Sequence, residues 1–322
     1  MSTTEFASAV AAVRALEGTL LSKSDIDRMI AARNVSEIAG ILISAGKNVQ
    51  GDSDDLLSSL ESELDDVWNY IMEFATGSKS LAVLLYRNDF HNLKAAIKSF
   101  VTNTEPRRCF VRPTNLDLES LPEIISKKNY DRLPDYMSSA AAEAYDILTR
   151  TMDGQISDAV IDAAALKAMQ NDSAKYGGDF LLKYSAVITD CADIKTAYRC
   201  SKMAKSRQFL ETAVCGGELD KEQLISAALR GTESFVSWLE TTQYSEASEM
   251  LRESTAAFEK YCDDLVMNLA GDARMQAFGV EPLAAYFIAK EAELKNVRII
   301  LVCKKCGVSN DIITERMRML YV

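Results

Sequence analysis

The chain has 322 residues, 48% of them hydrophobic and 26% charged, with 36 Lys and Arg against 47 Asp and Glu for a net charge of -11. That composition excludes a disordered chain and suffices for a sizeable core without disulfides or a structural metal. The acidic balance repels phosphate backbones and anionic lipid, so neither nucleic-acid binding nor electrostatic docking on a membrane is expected. Five prolines and 14 glycines are too few for a loop-rich all-β protein, and a helical fold is expected. The opening MSTTEFASAV lacks the basic start and apolar centre of a signal peptide. The longest apolar run, 278–289, contains Glu281 and falls short of the ~18–20 residues of a membrane span, so no direct membrane insertion is expected. Seven cysteines, an odd set without framework spacing, point to a reducing, cytoplasmic compartment.

In chain order, helical stripes run over 6–21, from Leu56 to Met72, and over 133–148, 156–169, 180–210, 247–269 and 282–303. The last ten residues, with Ile313, Met317 and Leu320, form a final stripe. Asp52, Asp54 and Asp55 suit the N-terminus of the Leu56 helix, with Ser53 as its cap. Short strands are expected only in linkers such as 109–111. Two breaks interrupt the pattern: 101–115, with two prolines, and 215–220, where Gly216 and Gly217 read as a cap after a long helix.

Around these breaks a polar pattern recurs. It reads Asp89, Asn92, Lys94; then Asp190, Asp193, Lys195; then Glu293, Asn296, Arg298. From Asp89 to Asp190 is 101 residues and from Asp190 to Glu293 is 103. The spacing predicts three homologous all-helical repeats, at 1–108, 109–215 and 216–322. Acid and amide, three apart, share a helix face, whereas the base lies roughly 140° around it, so its partner is expected on another element. A motif repeated three times more often marks architecture than a triplicated active site, so these nine positions are expected to fix helix packing.

Catalytic constellations are poorly supported. His91 is the single histidine, which excludes multi-His metal sites, and no Gly-x-Ser-x-Gly elbow accompanies it. Cys303 and Cys306 form a lone C-x-x-C without a second pair. Ala45-Gly46-Lys47 lacks the spacing and the following Ser or Thr of a phosphate loop, so Gly46 reads as a helix cap. Gly177-Gly178 is an isolated pair in a polar loop. The acids of 61–66 and Asp263-Asp264 lack calcium-loop order and read as solvated helix faces. No cofactor or metal is expected.

The C-terminal block Phe278-Gly279-Val280-Glu281-Pro282-Leu283, continuing through Tyr286, Lys290, Glu293, Asn296 and Arg298 to Gly307 and Arg316, resembles the C subunit of the bacterial and archaeal V/A-type ATPases (ATP synthases). This is the counterpart of the d subunit of eukaryotic vacuolar ATPases. Residues 12–21, AVRALEGTLL, resemble that family's opening helix, and the likeness is essentially full length. Asp193 departs from it, standing where the other two motifs carry Asn. The resemblance implies a funnel-shaped, pseudo-threefold rotor subunit, peripheral on the cytoplasmic face of the membrane. It would seat the D and F subunits of the central stalk on the proteolipid ring and carry rotation between ATP chemistry and proton or sodium movement. It implies no catalysis and no homo-oligomer. The alternative is a helical enzyme or ligand-binding protein whose three polar motifs converge on a ligand.

Overall fold

The computed structural model describes residues 6–75 and 77–321. Among these, every regular element is helical and none is a strand. In chain order the helices are α1 (Ala7–Glu17), α2 (Lys23–Ala31), α3 (Val35–Ser44), α4 (Ser53–Phe74), α5 (Lys79–Ala82), α6 (Tyr86–Thr102), α7 (Leu121–Lys127), α8 (Asp135–Thr151) and α9 (Gly154–Tyr176). They continue as α10 (Gly178–Lys202), α11 (Arg207–Ala213), α12 (Lys221–Leu229), α13 (Thr232–Leu239), α14 (Ser245–Glu253), α15 (Thr255–Arg274), α16 (Glu281–Lys305) and α17 (Asn310–Arg316). None of them is long and apolar enough to cross a membrane.

The chain groups into two compact units, one of Met1–Ser78 with Glu253–Val322 and one of Lys79–Arg252. The first is built on α16, whose residues from Pro282 to Lys290 are all buried. A helix without a wet face must be enclosed, and α1, α2, α4, α15 and α17 pack around this one. Trp68 of α4 meets Phe287 edge-to-face with ring centroids 4.8 Å apart. The second unit is built on α9 and α10, with α6, α8 and α11 packed on α9.

Several boundaries depart from the stripe pattern, each for a local reason. The expected helix over 180–210 is two, α10 and α11, because Ser206 takes an N-cap conformation and its side chain accepts from the Phe209 N–H. Likewise 247–269 divides at Ser254, which accepts from Ala257 N–H and starts α15. Asp52, not Ser53, caps α4, accepting from the N–H groups of Asp54 and Asp55. Gly177 is not in a loop; it is the single-residue joint between α9 and α10, where a Cβ would lie 2.7 Å from Ser173 O. Gly46 does follow a helix C-terminus with φ +83°, and the next N–H, of Lys47, returns to Leu42 O.

A hydroxyl cap contributes on the order of 1 kcal/mol. Ser254→Ala is expected to lower unfolding stability by about that amount, read as a shift of the urea midpoint at unchanged m-value. A shift no larger than that of an exposed mid-helix control such as Glu249→Ala would contradict the cap.

Candidate functional site

The six acid and amide positions of the recurring pattern are all buried: Asp89, Asn92, Asp190 and Asn296 are fully enclosed, Asp193 is 1% exposed and Glu293 5%. Each faces backbone of a segment between helices or beyond the last one. On α6, Asn92 donates from Nδ2 to Val111 O at 3.0 Å and accepts from Val111 N–H at 2.8 Å. On α16, Asn296 does the same with Arg318, at 3.2 and 2.8 Å. A primary amide carries both a donor and an acceptor, so it pairs with a peptide unit as a neighbouring strand would. This explains why 109–111 forms no strand: its ladder partner is a side chain. It also explains why the final helix stops at Arg316, since Arg318 N–H is held by Asn296 and Met319 N–H by Asp264.

Asp193, on α10, has no donor and binds differently. Its two oxygens accept from the consecutive N–H groups of Cys215 and Gly216, at 2.9 and 2.7 Å. Gly216 and Gly217 are therefore not a helix cap; α11 has already ended at Ala213. Gly216, at φ +88°, directs its N–H at Asp193, and Gly217 lies so close to Asp190 that a Cβ would stand 2.2 Å from Oδ1.

The acids make the second half of each arrangement. Asp89 accepts from Thr114 Oγ1, Asn115 N–H, Asn115 Nδ2 and Tyr136 OH at 2.5–2.8 Å. Asp190 accepts from Leu219 N–H at 3.2 Å and Tyr244 OH at 2.9 Å. Glu293 accepts from Leu21 N–H at 2.6 Å. Leu219 stands two residues ahead of α12 and Leu21 two residues ahead of α2, so the last acid grips the start of the chain as the middle one grips the start of a later segment. Burial pushes all three aspartates above the ordinary carboxylate range, Asp193 to about 6, against the hydrogen bonds that favour their charged forms. It likewise raises the Tyr136 and Tyr244 hydroxyls, with the adjoining aspartates adding to it.

Glu293 also belongs to a four-charge cluster in the first unit, buried except at half-buried Glu63. Lys47 and Lys290 each contact both Glu293, at 2.7 and 2.6 Å, and Glu63, at 3.3 and 2.6 Å. Lys47 adds a bond to Thr19 O at 2.9 Å. Two positive and two negative groups balance. Burial lowers the Lys47 pKa despite Glu293; at Lys290 burial acts the same way but is overcome by Glu293 and Glu63, which raise it. Burial opposes ionisation of Glu63, yet the Lys290 and Lys47 ammoniums hold it below its usual value. The two acid clusters read as solvated faces are thus partly structural: Glu63 lies here, and Asp263 pairs with Lys295 and Arg318.

Two bases of the pattern pair with acids on other helices. Lys94 pairs with Asp162 of α9 at 2.6 Å, and Arg298 pairs with Glu61 of α4; Lys195 is half-buried on α10. His91 is exposed with Nε2 3.0 Å from Cys109 O, Cys303 is buried and Cys306 exposed. Sequence reasoning missed Lys47, Glu63, Tyr136, Tyr244 and the captured backbone positions. Only Lys290, three residues before Glu293 on one helix face, carried a local spacing signal.

A family model described as ATP synthase (C/AC39) subunit matches residues 9–316. The chain belongs to this family. It is 26% identical over 317 residues to the C subunit of the V-type sodium ATPase of Enterococcus hirae, with 96% of this chain and 97% of that one covered. It is 24% identical over 341 residues to the C subunit of the A-type ATP synthase of Halorubrum lacusprofundi, with 96% of each covered. The corresponding A-type ATP synthase protein of Methanocaldococcus jannaschii is 24% identical over 90% of this chain and 80% of its own. Within this family, the clamps of this chain give its buried polar groups a concrete role: they hold inter-helix segments to helices.

Both the charge cluster and the Asp193 clamp can be tested by unfolding. Glu293→Gln leaves two buried ammoniums facing Glu63 alone and is expected to cost about 3–5 kcal/mol in urea unfolding; a loss below about 1 kcal/mol would show that the cluster is not closed in solution. Asp193 has a raised folded-state pKa, so between about 4 and 6 the folded chain keeps a proton that the unfolded chain has released. Its contribution is therefore fully present at acid pH and declines as pH rises through that window, by on the order of 2–3 kcal/mol. The wild-type stability minus that of Asp193→Asn should fall between about pH 4 and 7; parallel curves would refute the assignment.

Proposed function

We propose that this chain is the non-catalytic rotor subunit that joins the central stalk of a V/A-type ATPase to its membrane rotor ring. It would bind the D and F subunits of the stalk on one side and the proteolipid ring on the other, as a peripheral subunit at the cytoplasmic face. In that place it transmits rotation between ATP hydrolysis or synthesis and proton or sodium transport. The observation that carries the reading is family membership over 9–316 together with what the buried polar groups do. Each recurring acid and amide is engaged by the chain's own backbone, which suits stiffness.

We further propose that 1–108, 109–215 and 216–322 are three equivalent helical repeats. The same capture recurs at near-constant separation: Asn92 to Val111 is 19 residues, Asp193 to Cys215 is 22 and Asn296 to Arg318 is 22. On this reading Asp89, Asn92, Lys94, Asp190, Asp193, Lys195, Glu293, Asn296 and Arg298 are equivalent structural positions. A catalytic use of the three motifs would require acids free to meet a ligand, and the engagement of all three weighs against it.

Reconstitution tests the role. The D and F subunits, together with the proteolipid ring in detergent, should form a stoichiometric complex only when this chain is added, and the chain alone should hydrolyse no ATP. Stalk and ring that associate equally well without it would refute the linking role.

A further inference from the structure

The Lys79–Arg252 unit holds a cleft of about 710 Å³ between α8 and α9, closed on a third side by α5 and the start of α6. Three exposed lysines line it, Lys79, Lys167 and Lys175, in a chain whose net charge is -11. Among the described residues none of these three ammoniums lies in an ion pair with a carboxylate. Lys79 and Lys175 instead converge on the ring of Tyr176, 5.2 and 4.9 Å from its centroid. The two carboxylates of the cleft are placed otherwise. Half-buried Asp172 receives the Tyr86 hydroxyl, and Asp135 sits in the first turn of α8, where the helix dipole favours it.

Two features set the size of the guest. Lys167, Asn171 and Lys175 follow one another at four-residue steps along one face of α9, so the outer two stand about 12 Å apart along the axis. A single phosphate or carboxylate cannot bridge that distance, whereas carboxylates on one face of a second helix repeat at the same pitch. On the facing stretches of α8 and α9 the lining includes the small residues Ser139, Ala140, Ala164 and Ala168. Small residues at a helix contact favour the shorter end of the ~8–10 Å interaxial range.

We propose that this cleft docks an acidic helix of a partner polypeptide, with carboxylates at i and i+4 or i+8 paired to Lys167 and Lys175 and a third acid reaching Lys79. The guest lies along α9 with small residues against the lining alanines. This deepens the reading of the chain as a linking subunit and rests on it, since it assigns a partner's chemistry to one surface of a member of that complex.

Zero-length carbodiimide coupling of the purified complex, read by peptide mass spectrometry, tests it. Lys167 and Lys175 should be joined to Asp or Glu residues four or eight apart in one segment of another subunit. The Lys167→Gln, Lys175→Gln double variant should keep its helix content and, both sites being exposed, lose no more than about 1 kcal/mol of stability, yet associate at least ~10-fold more weakly at low salt. Retained assembly without such cross-links, or unchanged affinity in the double variant, would overturn the cleft assignment alone. A thermal midpoint raised by millimolar pyrophosphate in the wild type and not in the double variant would mark a small-anion site and overturn it too. Failure of the wild-type chain to enter any complex would remove the linking role and this inference with it.

Discussion

A carboxylate or amide taken out of water must find donors inside the protein or cost several kcal/mol, and the helix-to-helix segments of this chain carry backbone N–H groups with the same need. Each solves the other's problem. Asp89, Asp190, Asp193 and Glu293 stand on long helices and accept the N–H groups of segments that no strand ladder satisfies. Asn92 and Asn296 go further and hold both polar groups of one residue. The path of these connections is thereby tied to a helix by directional bonds, not by apolar contact alone. The difference between Asn and Asp at the second position shows how closely backbone follows side chain. An amide faces one peptide unit, whereas a carboxylate needs two successive donors and finds them where Gly216 turns with positive φ.

In the unit that combines both ends of the chain, the same demand is met with charge. Leu21, Lys47 and Glu63 come from early residues, and Lys290 and Glu293 from α16. A buried carboxylate paired with one ammonium still leaves lone pairs and protons unmet; two of each sign, sharing contacts, leave fewer. Removing any one member strands the others, so the cluster favours one register of α16 against the N-terminal helices. The bond from Tyr321 OH to Glu17 at 3.0 Å and the captured Arg318 backbone secure the same closure nearer the terminus.

Such a construction suits a part that bears load. Apolar packing resists separation but is non-directional, with no single donor and acceptor to be kept in line. A hydrogen bond weakens steeply once its angle and distance are lost. Segments fixed by carboxylates and amides therefore resist the shear that torque would impose in the proposed role. The lysine-lined cleft is of the opposite kind, with three exposed ammoniums in no carboxylate ion pair, which the proposed acidic helix would supply.

Much of this was legible in the residues alone. Helical periodicity, scarce Pro and Gly, and the absence of chemistry-bearing motifs determined an all-helical chain, and the recurrence of Asp89, Asp190 and Glu293 marked the buried polar positions. The C-terminal block from Phe278 pointed to the family. Those features are local, or repeat at fixed spacing, so a one-dimensional pattern carries them. Only the tertiary structure decided what the polar positions hold. It also gave Lys47 and Glu63 to one cluster, and it ended the last helix at Arg316 although the stripe ran on. Each of those outcomes depends on partners 16 to 272 residues away. A buried acid announces in sequence that it must be satisfied; which donors satisfy it is settled by where the chain returns in space.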